Sequence, residues 1–269
     1  MNVSRTLAAL IVAAASLALV SCSQSSGGTL APTNSAASGP LASAEASLPA
    51  EPAPSYHPVP ALSESPSVTG QVSSAAQAAA LVFAANPLFA QIQPANRELA
   101  GQSESYTASP AGDGFAVAVT IGSGDCPAGC VNSHTWNYSV SGSGGVELVS
   151  ESGDVVEIGI PTPGAGQAQV TISLVAGPVC PVERDSPDPG CAPRPVAGAQ
   201  VVVRDPSGTQ VASATADQSG QVTLELPSGA YYAEAAASSG LMGQPDAAAF
   251  SVVGGSTMGF SMEYDTGIR

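Results

Sequence analysis

The sequence predicts a mainly β protein that includes one α+β module and follows a long unstructured lead. Three observations predict it. Apolar residues alternate with period two through most segments after residue 103. A single Ala-rich segment, 75–85, carries helical spacing behind Ser73 and Ser74. Residues 23–67 are largely Ala, Ser and Pro, with almost nothing to bury. The predicted layout is a leader over 1–21, a stalk over 22–69, an α+β domain over 70–165 and a seven-stranded type of β-sandwich over 166–269.

Charge narrows the function. The 269 residues include 21 Asp+Glu and 6 Lys+Arg, for a formal net charge of -15, and all six basic residues are Arg. Such a surface cannot neutralise a run of phosphates, which excludes nucleic acid as a partner. It also lacks a basic patch for anionic lipid. Aromatic residues make up 4%, so the area buried per residue is modest for a large enzyme core.

The first element is an address. Arg5 and the amino terminus precede an apolar run from Leu7 to Val20. That run is too short for a comfortable membrane span and suits the apolar region of a signal peptide. It ends in Leu19-Val20-Ser21-Cys22. These residues resemble the lipobox of bacterial lipoprotein precursors, with an aliphatic residue at -3, a small one at -1 and then Cys. The resemblance implies cleavage before Cys22, diacylglycerol on its sulfur and N-acylation, with palmitate-type chains anchoring the protein to a membrane of the bacterial envelope. Two or three acyl chains hold stably where one does not. Loss of the leader takes the mature net charge to -16, because Arg5 is the only charged side chain in it.

The second element is the tether. Pro32, Pro40, Pro49, Pro52, Pro54, Pro58, Pro60 and Pro66 oppose helix and sheet. As a flexible coil the stalk would reach roughly 40 Å root-mean-square, and as polyproline II up to about 140 Å. His57 lies within it and is read as inert.

The third element is the α+β domain. Val72, Ala76, Ala79 and Phe83 share a helical face, and Asn86-Pro87 opens a second short helix toward Ile92. Strands are expected at 103–109, 115–121, 134–140 and 146–149. Ala111-Gly112-Asp113-Gly114 and 141–145 supply turns. A helix followed by an antiparallel meander, with Trp136-x-Tyr138-x-Val140 on one strand, is similar in outline to cystatin-like and PepSY-like domains.

Within it lies Cys126-Pro-Ala-Gly-Cys130-Val-Asn-Ser-His134. Two thiols and an imidazole at this spacing could hold a soft metal. The spacing resembles that of the copper site in cytochrome oxidase subunit II-like cupredoxins. Asn137 stands where that family has Met, and the only other His is His57. The favoured reading is a small-loop disulfide, because an exported chain meets an oxidising space. A metal (copper) or redox carrier using Cys126, Cys130 and His134 is the alternative.

The fourth element is the sandwich. Residues 170–175 alternate, and a Pro-rich loop follows, bracketed by Cys180 and Cys191. Then come Pro195-Val196-x-Gly198-Ala199-x-Val201 and Thr215-x-Asp217-x-x-Gly220-x-Val222-x-Leu224-x-Leu226-Pro227-x-Gly229-x-Tyr231. This pattern resembles the carboxypeptidase regulatory-like domains, relatives of transthyretin and Cna-B modules. The resemblance implies an accessory β-sandwich that is not itself an enzyme. It also makes carbohydrate binding the other alternative, with Tyr231, Tyr232 and Tyr264 as candidate aromatics. The Lys-Asn cross-link of Cna-B relatives is impossible in a chain without Lys. In the bottom-up reading Asp217 closes an Asx turn, Val222, Leu224 and Leu226 face the core, and Thr223 and Glu225 face water.

Cysteine arithmetic completes the reading. Cys22 goes to lipid, and neighbours in sequence pair as Cys126-Cys130 and Cys180-Cys191. The second bridge would close a loop bearing Glu183, Asp185 and Asp188, read as a solvated acidic loop, and is typically worth about 2–4 kcal/mol. The expected function is a non-enzymatic lipoprotein of the cell envelope, without cofactor. Its modules would serve binding or scaffolding outside the cytoplasmic membrane, with the membrane as one partner through the lipid and an extracytoplasmic protein or glycan as the other.

Overall fold

The computed structural model describes residues 70–95, 102–126, 129–156, 164–181 and 189–268, all within one compact unit that spans Pro52–Arg269. The expectations for the leader, Cys22, the stalk, His57 and the acidic residues of the 182–188 loop lie outside the described residues. The fold is mainly β, with one α-helix and largely antiparallel sheets.

Helix α1 spans Ala75–Ala85. It starts at Ser74, whose backbone is extended and whose side-chain oxygen accepts the Gln77 amide at 3.1 Å. It stops at Asn86, where the backbone turns extended and the side chain caps a short 3-10 turn, Pro87–Phe89. The second helix expected to reach Ile92 is therefore one turn only. Four strands follow as an antiparallel meander: β1 Glu104–Ala111, β2 Gly114–Ser123, β3 Asn132–Val140 and β4 Val146–Gly153. Their inner face carries Val117, Val119, Ile121, Trp136, Tyr138 and Val140, all buried.

The remaining strands form a two-sheet sandwich. One sheet contains β5 (Ala168–Gly177), the two-residue β6 (Arg194–Pro195), β9 (Gln221–Leu226) and β12 (Thr257–Asp265). The other runs in the order β11 (Ala248–Val252), β10 (Gly229–Ala235), β7 (Gln200–Arg204) and β8 (Gln210–Thr215). Strand β5 is central in its sheet: β12 pairs with it in parallel along one side, while β9 and β6 share the other. Val222 and Leu226 are buried, Leu224 packs half-buried against the core, and Thr223 and Glu225 are exposed. The turn before β9 follows the residues. Asp217 Oδ1 accepts the Ser219 and Gln221 amides at 2.8 and 2.9 Å. Gly220 sits at φ +73°, where a Cβ would press on the Leu174 carbonyl.

The sheets sandwich the helix. Nine of the eleven α1 residues are buried, on both sides of the helix. The meander's inner face lies against one side, and Ala230, Tyr232 and Ala249 of β10 and β11 lie against the other. A helix apolar all round belongs in an interior, and its run of alanines lets two sheets approach one helix. The order of layers is therefore meander, helix, the β11-β10-β7-β8 sheet and the β5 sheet. The α+β segment and the sandwich share a core through α1.

The contact also covers a sheet edge. Strand β11 ends its sheet, so its outward amides need partners. The Ala249 amide donates to the Tyr106 hydroxyl at 2.6 Å, and the Ser251 amide donates to the Ile92 carbonyl at 2.9 Å. The Ser251 hydroxyl accepts the Ile92 amide at 3.1 Å and donates to the Phe89 carbonyl.

Candidate functional site

The Cys-containing loop joins β2 to β3. Cys126 and Cys130 are bonded to each other, and Gly122 beneath them leaves room for the Cys130 sulfur that a Cβ would occupy. A disulfide has no thiolate to offer a metal. His134 points inward at the start of β3. Its ring lies 4.4 Å from that of Trp136, Nδ1 donates to the Asp154 carbonyl at 2.7 Å, and Nε2 lies 3.7 Å from a Glu151 carboxylate oxygen. The structure thus joins Cys126 and Cys130 as a disulfide and holds the His134 imidazole at the edge of the core. Among the described residues no three metal-ligating side chains converge. Neither group facing the ring is a hydroxyl or thiol that His134 could deprotonate for nucleophilic catalysis.

The aromatic candidates for stacking a sugar lie in the core. Tyr231, Tyr232 and Tyr264 are 6%, 2% and 0% exposed. Tyr231 donates to the Pro227 carbonyl at 3.0 Å, and Tyr264 donates to the Ala236 carbonyl at 2.6 Å. Among the described residues, the sandwich and helix layers cover the rings of these three tyrosines. Cys180 and Cys191 are bonded across the Pro-rich loop with Cα atoms 5.3 Å apart.

Two concave places lie where elements distant in sequence meet. A cleft of 490 Å³ runs between the segment before β1 and the ends of β5, β11 and β12. Its wall holds Asp246, Glu263 and Asp265 beside Tyr106 and Met262. Gly177 admits the Glu263 carboxylate, which a Cβ there would strike. Burial pushes the Tyr106 phenol up to about 12 against the weaker opposing effect of the Ala249 amide. A second hollow, of 350 Å³, lies between the start of α1 and the β7–β8 turn. Its lining joins residues 71–77 to residues 207–209 and 232. No spacing motif reveals either place, because each is assembled from separate parts of the chain.

The chain matches no protein-family model and no curated protein sequence. Among solved structures, a double-mutant form of the shaft pilin SpaA from Lactobacillus rhamnosus GG is similar at 13% identity and TM-score 0.29, with 37% of this chain and 51% of the pilin covered. The Bacillus anthracis TIE protein is similar at 11% identity and TM-score 0.29, with 62% of this chain and 44% of that one covered. The chain spans about half the length of each. At those scores the likeness transfers no function.

Proposed function

We propose that this chain is a non-enzymatic lipoprotein of the bacterial envelope, which holds a rigid layered body outside the cytoplasmic membrane as a binding or scaffolding module. The observation that carries the reading is the pairing of an address with a matching chemistry. Leu19-Val20-Ser21-Cys22 ends an apolar leader, and the four remaining cysteines are all bonded in two short-range disulfides. Disulfides persist where the space is oxidising, so the body suits the compartment to which the leader would send it. The Pro-rich stalk between them separates the body from the bilayer. The absence of catalytic machinery is part of the proposal. It is supported by the inward, stacked placement of His134.

Anchoring is tested by metabolic labelling with a fatty-acid analogue. The wild-type chain should carry the label and fractionate with membranes. Cys22→Ser should carry none. An unlabelled wild type would remove the lipoprotein reading.

A further inference from the structure

Sheet edges are where this fold offers unpaired backbone. In a strand bonded on one side only, about half of the amides and carbonyls face the other way, open to a further strand. Most edges here are guarded. Strand β11 is capped by Tyr106 and Ile92. Strand β1 contains Pro110, and β4 carries Glu147, Glu151 and a bulge opposite Asn137 and Tyr138. Strand β8 is six residues long and shifts register against β7. On the far edge of the β5 sheet, β6 and β9 are both short.

Strand β12 has no such guard. It pairs with β5 without a break over nine residues. It contains no Pro, Lys or Arg, and its first charged residue is Glu263. Among the described residues, the backbone of 257–264 makes no hydrogen bond outside that pairing, and only at Asp265 does the Met242 amide close on the edge. Phe260, Met262 and Tyr264 point into the core, while Thr257, Gly259, Ser261 and Glu263 are exposed. That outward row is small until Glu263, which leaves room for longer side chains from a neighbouring strand.

The 490 Å³ cleft lies at the end of this edge. Ser261, Met262, Glu263 and Asp265 line it together with Tyr106 and Asp246. Glu263 and Asp246 are exposed, and neither has an ion pair among the described residues. No basic side chain lines the cleft among those residues. Opposite charges on adjacent strands attract, and like charges directly opposite repel. The occupant that fits is therefore an extended segment with basic side chains in the row beside Glu263. A second copy of this chain would bring the same carboxylates and a further net charge of -15.

We propose that the open edge of β12 docks an extended, basic segment of a partner protein, which adds to the β5 sheet as a further strand with Arg or Lys beside Glu263. This rests on the binding role proposed above and names its partner's chemistry. Purified chain suffices to test it, so its failure is distinct from a failure of the anchor.

The test is calorimetry together with hydrogen exchange on the full-length chain. The probe is a synthetic peptide of β12's length that alternates Arg with Val and Thr. One control replaces every Arg by Glu. Another replaces two adjacent central residues by Pro, so that one of the lost amides must face β12. The Arg peptide should bind with a Kd on the order of 100 μM and slow amide exchange within 257–263. The control peptides should do neither. Glu263→Gln should weaken binding about threefold. Ser261→Lys, which puts a cation in the outward row, should weaken it about tenfold. Both positions are exposed, so these variants keep the fold. Glu147→Gln removes the same charge from β4 and should change nothing. The proposal is overturned if the Arg peptide leaves exchange in 257–263 unchanged, if either control peptide binds as well, or if Glu263→Gln weakens binding no more than Glu147→Gln. Protection of 257–263 that appears without peptide and grows with protein concentration would place a second copy on the edge, and would overturn it too. None of these outcomes bears on the labelling of Cys22.

Discussion

Tyr106 shows how one residue joins the two halves of the body. Its ring meets Phe83 edge-on at 5.2 Å, and its hydroxyl accepts the amide of Ala249, a residue with no exposed surface. Tyr106→Phe keeps the ring and leaves that amide buried without an acceptor. The expected loss is about 1–3 kcal/mol by urea denaturation. A variant as stable as the parent would show that the edge of β11 does not need this cap. The same phenol sets an alkaline limit. Its pKa is raised to about 12 in the folded chain, mainly by burial, against about 10 unfolded. Its contribution is therefore complete below about pH 10 and is lost progressively as the pH rises toward 12. Denaturation midpoints measured across that window should fall, and should fall less steeply in Tyr106→Phe.

At the scale of elements, α1 depends on being thin. Ala78, Ala79 and Ala80 have no exposed surface and lie between two sheets. Ala79→Leu would force extra methylenes into a filled layer, at a cost of about 1–3 kcal/mol. Ala84 is exposed, and Ala84→Leu should stay within about 0.5 kcal/mol of the parent. Equal effects in the two variants would mean that the layer has room. The position of this helix was legible, since Ser74 and Asn86 mark its ends. Its second buried face was not, because alanine is tolerated both in water and in a core and so leaves no polar side to read. Period-two strands were legible through Leu226. Strands β11 and β12 went unplaced: Ala248 and Ala249 carry little strand signal, and β12 is interrupted by Gly259. Of the candidate site residues, Tyr231, Tyr232 and Tyr264 were visible as aromatics but not as core members, because burial depends on which layers pack over them.

At the scale of the molecule, the shared helix layer has a thermodynamic consequence. Residues on both sides of the segment at 157–163 contribute to one core cluster. Backbone bonds also tie β11 to the segment before β1. Calorimetry of the described body should show one cooperative transition, with van't Hoff and calorimetric enthalpies in agreement. Two resolved transitions would show that the sandwich and the meander melt separately and that α1 does not couple them.

The parallel pairing of β12 with β5 sets the timing of assembly. β5 can find β9 once residue 226 has been made, but its other edge stays open until residues 257–265 arrive. A pairing so distant along the chain carries a large loop-closure entropy and forms slowly. Through most of its synthesis the chain therefore lacks the strand that completes the β5 sheet, and the sandwich closes only when residues 257–265 have been made.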